Sequence, residues 1–224
     1  MQRASMNSKA QQKTIIILGA SGLVGQQLLR QALDDERIGR VIAPSRRPLP
    51  LHPKLLNPIV DFEALPATKE YWQADALLCA LGTTMRLAGS QSAFRRVDHD
   101  YVLNAAKLAR EAGTGCFVLN SSTGSKADAG SFYLRVKAET ERDLAALQFP
   151  SLVIVRPSLL DGDGVARPDQ RTGETIAIFM AKLLGFFLPK RLRPVTTAKV
   201  ATAMLDAGLS AKCGKHFIES EQLH

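Results

Sequence analysis

A tyrosine and a lysine four residues apart, Tyr133 and Lys137 in the segment Y-L-R-V-K, form a pair that could move a proton. On a helix this spacing places both side chains on one face. A phenol has an unperturbed pKa of about 10, and a neighbouring ammonium favours the phenolate that proton transfer requires. Ser121 and Ser122 lie upstream of the pair, directly after an apolar run. We assign Ser122 to orienting a substrate carbonyl, and the sequence leaves open which of the two serines faces the substrate.

Three glycines follow the first apolar run directly, in the segment T-I-I-I-L-G-A-S-G-L-V-G. Gly19 permits a tight turn, Gly22 lets a phosphate approach the backbone, and Gly25 allows the next helix to pack closely on the strand. A pyrophosphate would then bind free N–H groups at the positive end of that helix. The spacing is G-x-x-G-x-x-G rather than G-x-G-x-x-G, and such glycines can also form a helix-start turn without a ligand. Between a strand and a helix, they predict a dinucleotide-binding loop.

The residues after the second apolar run indicate which dinucleotide this loop takes. An NAD enzyme carries Asp or Glu roughly 20 residues beyond the glycines. This chain instead has Arg46 and Arg47, in the segment P-S-R-R-P. Two guanidinium groups can hold a ribose 2′-phosphate by paired, charge-assisted hydrogen bonds. The alternative is two solvated arginines on a basic surface; we favour the first interpretation and predict NADP(H) as the cofactor.

The elements that would position these residues are predicted strands and helices that alternate along the chain. Apolar runs alternate with helical patterns, which predicts an α/β fold with a Rossmann-like doubly wound parallel sheet. The predicted strands are Thr14–Leu18, Val41–Ala43, a weaker one around Ile59–Val60, Ala76–Leu81, Cys116–Asn120, Leu152–Val155 and His216–Glu219. The predicted helices are Leu23–Leu33, Ser92–Ala112, Phe132–Leu147 and Val195–Leu209. We expect residues 1–12 to be a disordered tail and residues 13–224 a single NAD(P)-binding domain, with 159–194 as an inserted lid or substrate segment.

Composition excludes several other classes of function. The chain has 224 residues, of which 46% are hydrophobic and 22% charged, and its formal net charge is +8. No apolar stretch reaches the ~20 residues that span a bilayer, and three cysteines without a disulfide pattern suit a reducing compartment, so we expect a cytoplasmic protein. Aromatic residues make up 6% and do not interleave with the basic clusters, which argues against nucleic acid. The four histidines show no metal-binding spacing, and His99 is predicted to lie in a helix-surface cluster.

Short segments from Lys13 to about Leu209 match one known family. They are G-A-S-G-L-V-G, S-R-R, V-D-F-E-A-L, L-G-T-T-M-R-L-A-G, F-R-R-V-D-H-D-Y-V, Ser-Ser with Y-L-R-V-K-A-E-T-E, V-R-P and R-T-G-E. Through them the chain resembles the atypical short-chain dehydrogenase/reductase superfamily, and within it the branch of the human Tat-interacting protein and its bacterial oxidoreductase relatives. One departure is Asp98, which stands where extended relatives commonly carry Asn. The Ser-to-Tyr interval is also shorter, so no sugar-nucleotide substrate is carried over.

The resemblance implies a Rossmann fold that binds NADPH, with Tyr133 as the group that donates or accepts the proton. The cofactor contacts that it implies are Ser21, Gly22, Leu23, Val24, Arg46, Arg47, Leu81, Gly82, Tyr133, Lys137, Leu160 and Arg171. The leading function is therefore an NADPH-dependent oxidoreductase that acts on a small carbonyl or alcohol. The alternative, which the branch's regulatory members support, is an NADPH-sensing binding protein with little turnover.

Partners other than the cofactor and a small substrate are less well defined by the sequence. The segment Phe179–Arg193 combines apolar residues with K-R-L-R, which would suit peripheral contact with anionic lipid. We favour the alternative, in which these apolar residues line a substrate pocket or a subunit interface. A homo-oligomer or a protein partner is left open.

Overall fold

The structure, a computed structural model, describes residues 12–161, 191 and 193–224. Within these residues the strands are β1 (Lys13–Leu18), β2 (Ile38–Ile42), β3 (Leu55–Leu56), β4 (Ala76–Cys79), β5 (Cys116–Asn120), β6 (Ser151–Arg156), β7 (Leu160–Asp161), β8 (Val195–Thr196) and β9 (Gly214–Glu219). The α-helices are α1 (Leu23–Asp34), α2 (Lys69–Trp72), α3 (Met85–Ala88), α4 (Gln91–Arg95), α5 (Tyr101–Glu111), α6 (Phe132–Ala146) and α7 (Thr197–Ser210). A π-helical turn, Arg96–Asp100, joins α4 to α5, and a 3₁₀ turn, Ser220–Leu223, follows β9.

Several sequence predictions fall outside these described residues. The predicted tail does so except for its last residue, Gln12, and so does most of the predicted insert at 159–194. Arg171 and nearly all of the segment Phe179–Arg193 lie outside as well. In the part of the chain that is described, no helix combines the length and the apolar character needed to cross a membrane.

The main sheet is parallel and has the strand order β3-β2-β1-β4-β5-β6-β9. β1 pairs with β2 on one side and with β4 on the other, so the chain changes its direction of winding at β1. Ligands of such sheets bind beyond the carboxyl ends of the strands at this switch point. The predicted Rossmann-like doubly wound fold is confirmed.

Both faces of the sheet are covered, which explains why the strands are apolar throughout instead of alternating. Along β1, Ile15 and Ile17 belong to a core formed with α1 and α7. The intervening Ile16 and Leu18 belong to a second core, formed with α2 and α5. All four side chains are fully buried, and the sheet is thereby held between two layers of helices.

The third strand differs in position from its prediction. Leu55 and Leu56 pair with β2, whereas Ile59, predicted as strand, forms only an isolated bridge with Ser45. Pro58 separates the two segments and has no backbone N–H to donate to a ladder. The regular pairing therefore ends before Pro58, and the apolar Ile59 is left exposed.

The helix predicted over Ser92–Ala112 is interrupted by the π-helical turn. A wider turn shifts backbone hydrogen bonds out of register. The Thr140 hydroxyl lies 3.0 Å from the Asp98 carbonyl and 2.9 Å from the Val136 carbonyl, so it shares its one proton between the turn and its own helix. Thr140 comes from α6, so the turn is stabilised by a neighbouring helix. π-turns within α-helices occur frequently at functional sites.

Candidate active site

The turn between β1 and α1 depends on two contacts that only glycine permits. Gly19 has a φ of +79°, and a Cβ atom there would lie 2.6 Å from the backbone nitrogen of Leu81. A Cβ on Gly25 would lie 1.9 Å from the Gly19 carbonyl oxygen, because the first turn of α1 packs directly on the loop. At Gly22 the nearest described atom is that same oxygen at 3.3 Å. Gly22 is thus the glycine of this turn with room for a ligand beside it.

Helix α1 begins without a capping side chain. Gly22 is its N-cap residue, and the first turn contains no acidic residue. The first N–H groups of a helix have no intrahelical partner and lie at the positive end of the helix dipole. Ser21 is exposed and Leu23 is partly buried, whereas the Val24 side chain is buried in the core and offers only its backbone outward. This arrangement can hold an anionic phosphate group.

Arg46 and Arg47 follow β2 and are both exposed. The loop that carries them is fixed by side chains: Ser45 donates from Oγ to the Arg47 carbonyl at 2.6 Å, and Asn57 donates from Nδ2 to Ser45 Oγ at 2.8 Å. Asn57 also donates to the Ala43 carbonyl at 2.6 Å. Within residues 12–161 and 193–224 neither guanidinium group is paired with a carboxylate. Two uncompensated positive charges therefore lie at the carboxyl edge of the sheet, where the glycine turn also lies.

Tyr133 and Lys137 lie on the first two turns of α6, with the Lys137 Nζ atom 5.9 Å from the centre of the Tyr133 ring. Lys137 is buried, with 5% of its surface exposed, whereas Tyr133 is partly exposed. The Phe94 ring packs against the tyrosine ring at a centroid distance of 5.6 Å. The phenol is thus held over a buried ammonium group.

Asp98 holds that ammonium group, and sequence reasoning does not assign it to the site. Its side chain is buried, and its Oδ1 atom pairs with Lys137 Nζ at 2.8 Å. Its Oδ2 atom accepts the backbone N–H of Thr83 at 2.8 Å. A Cβ on Gly82 would lie 3.0 Å from Asp98 Oδ1 and 3.7 Å from Lys137 Nζ. Asp98 therefore joins the loop after β4 to the Tyr-Lys helix, and its only sequence signal is the departure from Asn.

Burial and the ion pair act in opposite directions on the pKa of Lys137. Burial by itself lowers the pKa of the lysine, but the attraction of Asp98, aided by Tyr133 and Cys79, outweighs burial and holds that pKa above its usual value. Burial also raises the pKa of the Cys79 thiol, to about 12. Lys137 is consequently charged and Cys79 neutral at physiological pH.

The two serines after β5 have different surroundings. Ser121 is buried and donates from Oγ to Glu141 Oε1 at 2.5 Å. Glu141 is itself buried and pairs with Arg156 at 2.5 Å. Ser122 is partly buried, and among the described residues its hydroxyl makes only a 3.4 Å contact, with the Thr123 carbonyl. Ser121 therefore belongs to an internal network, and Ser122 keeps a hydroxyl that a substrate could engage.

Three of the remaining predicted contact residues, Leu81, Gly82 and Leu160, lie in the part of the chain that the structure describes. Leu81 and Gly82 directly follow β4, and the Leu81 nitrogen lies against the Gly19 turn. Leu160 is in β7, where it pairs with Val195 of β8. Arg171 lies outside the described residues. The structure therefore brings together the glycine turn, the loop after β4 and the Tyr-Lys helix, and it leaves the contribution of Arg171 untested.

The prediction that His99 lies in a cluster on the helix surface is wrong, because the residue is buried, with 8% of its surface exposed. Its Nδ1 lies 2.7 Å from Asp100 Oδ1, and its Nε2 lies 2.9 Å from Asp143 Oδ2. His99, Glu139 and Asp143 could offer three ligand atoms to one metal ion. The two carboxylates, however, already pair with Arg95 and with a second arginine, Arg142, so we assign no metal to them.

Comparison with known proteins gives relatives over most of the chain. Protein HTATIP2 of Rattus norvegicus is 37% identical over 213 residues, which cover 92% of this chain and 86% of that protein. The mitochondrial protein FMP52 of Candida glabrata is 35% identical over 208 residues, or 88% of this chain and 85% of that protein. No protein-family model matches the chain.

Solved structures share the fold at low sequence identity. MoeE5 in complex with UDP-glucuronic acid and NAD has a TM-score of 0.71 at 19% identity, over 91% of this chain and 75% of that one. The dTDP-4-dehydrorhamnose reductase of Bacillus anthracis in complex with NADP has a TM-score of 0.63 at 14% identity, over 95% of this chain and 76% of that one. At these sequence identities, the structural similarity establishes a shared fold and nothing further.

The predicted cytoplasmic location is contradicted by the fungal relatives. Several of them, from different yeasts and from Emericella nidulans, are named mitochondrial proteins. The prediction rested on cysteines without a disulfide pattern, and such cysteines indicate a reducing compartment without saying which one.

Proposed function

The chain belongs to the HTATIP2 branch of the atypical short-chain dehydrogenases/reductases, and on that premise we propose that it is an NADP(H)-dependent oxidoreductase. The reaction is hydride transfer to or from a small carbonyl or alcohol compound. Residues 13–224 act as a single NAD(P)-binding domain, and the proposed ligands include no nucleic acid and no metal ion.

One observation carries this proposal: a partly exposed phenol, Tyr133, lies over a buried, charged ammonium, Lys137, with 5.9 Å between Nζ and the ring centre. Lysine is almost never fully buried unless it is paired, and a buried charged group in a cleft marks a candidate functional site. The pair lies at the switch-point edge of a parallel sheet, where ligands of this fold bind. A structural role would not require the tyrosine beside it to remain accessible.

Each side chain of the pair has a defined task in the proposed reaction. During reduction Tyr133 donates the proton from its hydroxyl to the carbonyl oxygen, and during oxidation it takes that proton back. The Lys137 charge favours the phenolate that remains. Ser122 donates a hydrogen bond to the same substrate oxygen and so fixes its position. The nicotinamide dinucleotide, when bound, supplies or takes up the hydride.

The residues proposed to hold the dinucleotide offer hydrogen-bond donors and positive charges to its phosphate and ribose groups. In this proposal the N–H groups from Ser21 to Val24 hold the pyrophosphate, and Arg46 and Arg47 hold the ribose 2′-phosphate. The Lys137 ammonium, although ion-paired with Asp98, has N–H groups that can donate to the nicotinamide ribose, and in this proposal they hold it. Solved neighbours of the same fold contain NAD or NADP, which supports a nicotinamide dinucleotide. The preference for NADP rests on the two arginines.

Replacing both Arg46 and Arg47 with alanine should weaken NADPH binding by about 100-fold and NADH binding by less than about threefold. The reason is that each charge-assisted hydrogen bond to the 2′-phosphate contributes about 1.5–3 kcal/mol, and NADH has no such phosphate. Calorimetric titration with both dinucleotides measures the two affinities.

The matched control is Lys107→Ala with Arg110→Ala, which removes two exposed positive charges from α5. If the control weakens NADPH binding as much as the Arg46/Arg47 variant does, general charge explains the preference and the 2′-phosphate site is wrong.

One observation favours the second candidate function, an NADPH-sensing protein with little turnover. The Asp98 carboxylate lies 2.8 Å from Lys137 Nζ and partly offsets the field of the ammonium at Tyr133. The paired ammonium therefore stabilises negative charge on the phenol oxygen less than an unpaired ammonium would, although more than a neutral amine, and proton transfer is slower than with an unpaired ammonium. Tight NADPH binding together with no oxidation of it by a panel of small aldehydes and ketones would favour this second function over the first.

A further inference from the structure

Lys137 carries its charge in a buried environment, which disfavours the charged form of a lysine. Its side chain is 7% exposed, and burial in a low-dielectric interior can move the pKa of a lysine down to about 5–6. The titratable groups that face it are Asp98 from the π-turn, Cys79 from β4 and Tyr133 from its own helix. Cys79 is buried and neutral, and among the described residues Asp98 is the only carboxylate paired with the ammonium.

Asp98 is held as firmly as its partner. Its side chain is 1% exposed, and its second oxygen is occupied by the Thr83 N–H. Its backbone carbonyl accepts the Thr140 hydroxyl, so the residue is fixed from both the loop after β4 and α6. The carboxylate therefore cannot turn toward solvent, and it stays beside Lys137 Nζ.

We propose that Asp98 is a positioning residue whose buried carboxylate keeps Lys137 charged, and that without this carboxylate the lysine is a neutral amine at physiological pH. An asparagine side chain at this position has nearly the same shape but only one oxygen. That oxygen can accept a hydrogen bond from Thr83 or from Lys137, but it carries no negative charge. The consequence for catalysis rests on the proposed function: a neutral Lys137 no longer favours the Tyr133 phenolate. The protonation claim itself concerns the protein alone and is testable without cofactor.

The test is the unfolding equilibrium of wild type and of Asp98→Asn between about pH 6 and pH 10, measured in denaturant without cofactor. In the variant the unfolded chain binds a proton on Lys137 up to about pH 10.4 and the folded chain does not. Its stability therefore rises with pH across this window. Relative to wild type, its unfolding equilibrium constant should fall about tenfold per pH unit.

The reciprocal variant, Lys137→Met, should show the opposite sign. It leaves the buried Asp98 carboxylate without a counter-charge, so this variant should lose stability relative to wild type as the pH rises from about 4 to 7. The double variant Asp98→Asn with Lys137→Met removes both charges, and its stability relative to wild type should not depend on pH across the neutral range. Lys137→Met tests the coupling of the two buried charges without Asp98→Asn: if its stability relative to wild type does not fall between about pH 4 and pH 7, the coupling is too weak to keep Lys137 charged and the proposal is wrong.

Asp100→Asn is the matched control, since Asp100 lies on the same π-turn but pairs with Arg95 and His99 rather than with Lys137. A stability deficit of Asp98→Asn that is the same at every pH would overturn the proposal, because Lys137 would then stay charged without Asp98. A wild-type chain that binds no NADPH would instead contradict the proposed function and leave this result standing.

Discussion

The Tyr133→Phe variant should reduce a small carbonyl substrate about 100- to 10,000-fold more slowly than wild type, the range that general acid catalysis supplies. The variant keeps the ring, its packing on Phe94 at 5.6 Å and its position over Lys137. It lacks only the hydroxyl that donates the proton, so kcat should fall and NADPH affinity should change by less than about threefold. Single-turnover oxidation of bound NADPH measures the chemical step.

Tyr71→Phe is the matched control, because it removes a second phenol from α2, away from the candidate site. It should turn over at the wild-type rate. A Tyr133→Phe variant that is as fast as wild type on any identified substrate would contradict the assigned proton donor. A variant that loses NADPH binding as well would place Tyr133 in the binding step instead.

The Gly25→Ala variant should lose about 3 kcal/mol or more of unfolding free energy and most of its affinity for NADPH. A Cβ there would lie 1.9 Å from the Gly19 carbonyl oxygen. The oxygen belongs to the backbone and the Cβ is bonded directly to Cα, so no side-chain rotation separates them. Helix α1 must then move off the turn, at a cost of at least about 3 kcal/mol, the upper end of the usual range for an overpacked core. Alanine is otherwise the better helix former by up to about 1 kcal/mol, so a measured loss understates the clash.

Gly22→Ala separates packing from ligand binding in the same turn. The added Cβ would lie 3.3 Å from the Gly19 oxygen, and Gly22 has a φ of −80° that alanine adopts readily. Its stability should therefore stay within about 1 kcal/mol of wild type, while the new methyl group hinders a phosphate. Equal stability of Gly25→Ala and wild type in denaturant titration would contradict the described contact.

Local sequence patterns were sufficient for the parts of the site that depend on spacing. The glycine turn follows from Gly19, Gly22 and Gly25 between a strand and a helix, and the shared face of Tyr133 and Lys137 follows from helical periodicity. Both features involve residues within one or two turns of each other. The type of sheet could also be predicted, because apolar strands that alternate with helices imply a parallel sheet covered on both faces.

Features that depend on distant contacts could not be predicted in this way. The π-turn at Asp98 relies on a hydroxyl of Thr140, 42 residues further along the chain. The pairing of Asp98 with Lys137 likewise joins two different elements, the π-turn and α6, so neither local segment indicates it. The different surroundings of Ser121 and Ser122 likewise depend on Glu141, which a neighbouring helix brings beneath the strand end.

The most direct test of the central claim is a calorimetric titration of the purified wild-type chain with NADPH and, separately, with NADH. NADPH should bind saturably, and the affinity for NADH should be at least about tenfold lower, because only NADPH has a 2′-phosphate for Arg46 and Arg47. Equal affinities would contradict the role of the two arginines. Binding of neither dinucleotide would contradict the proposed oxidoreductase altogether.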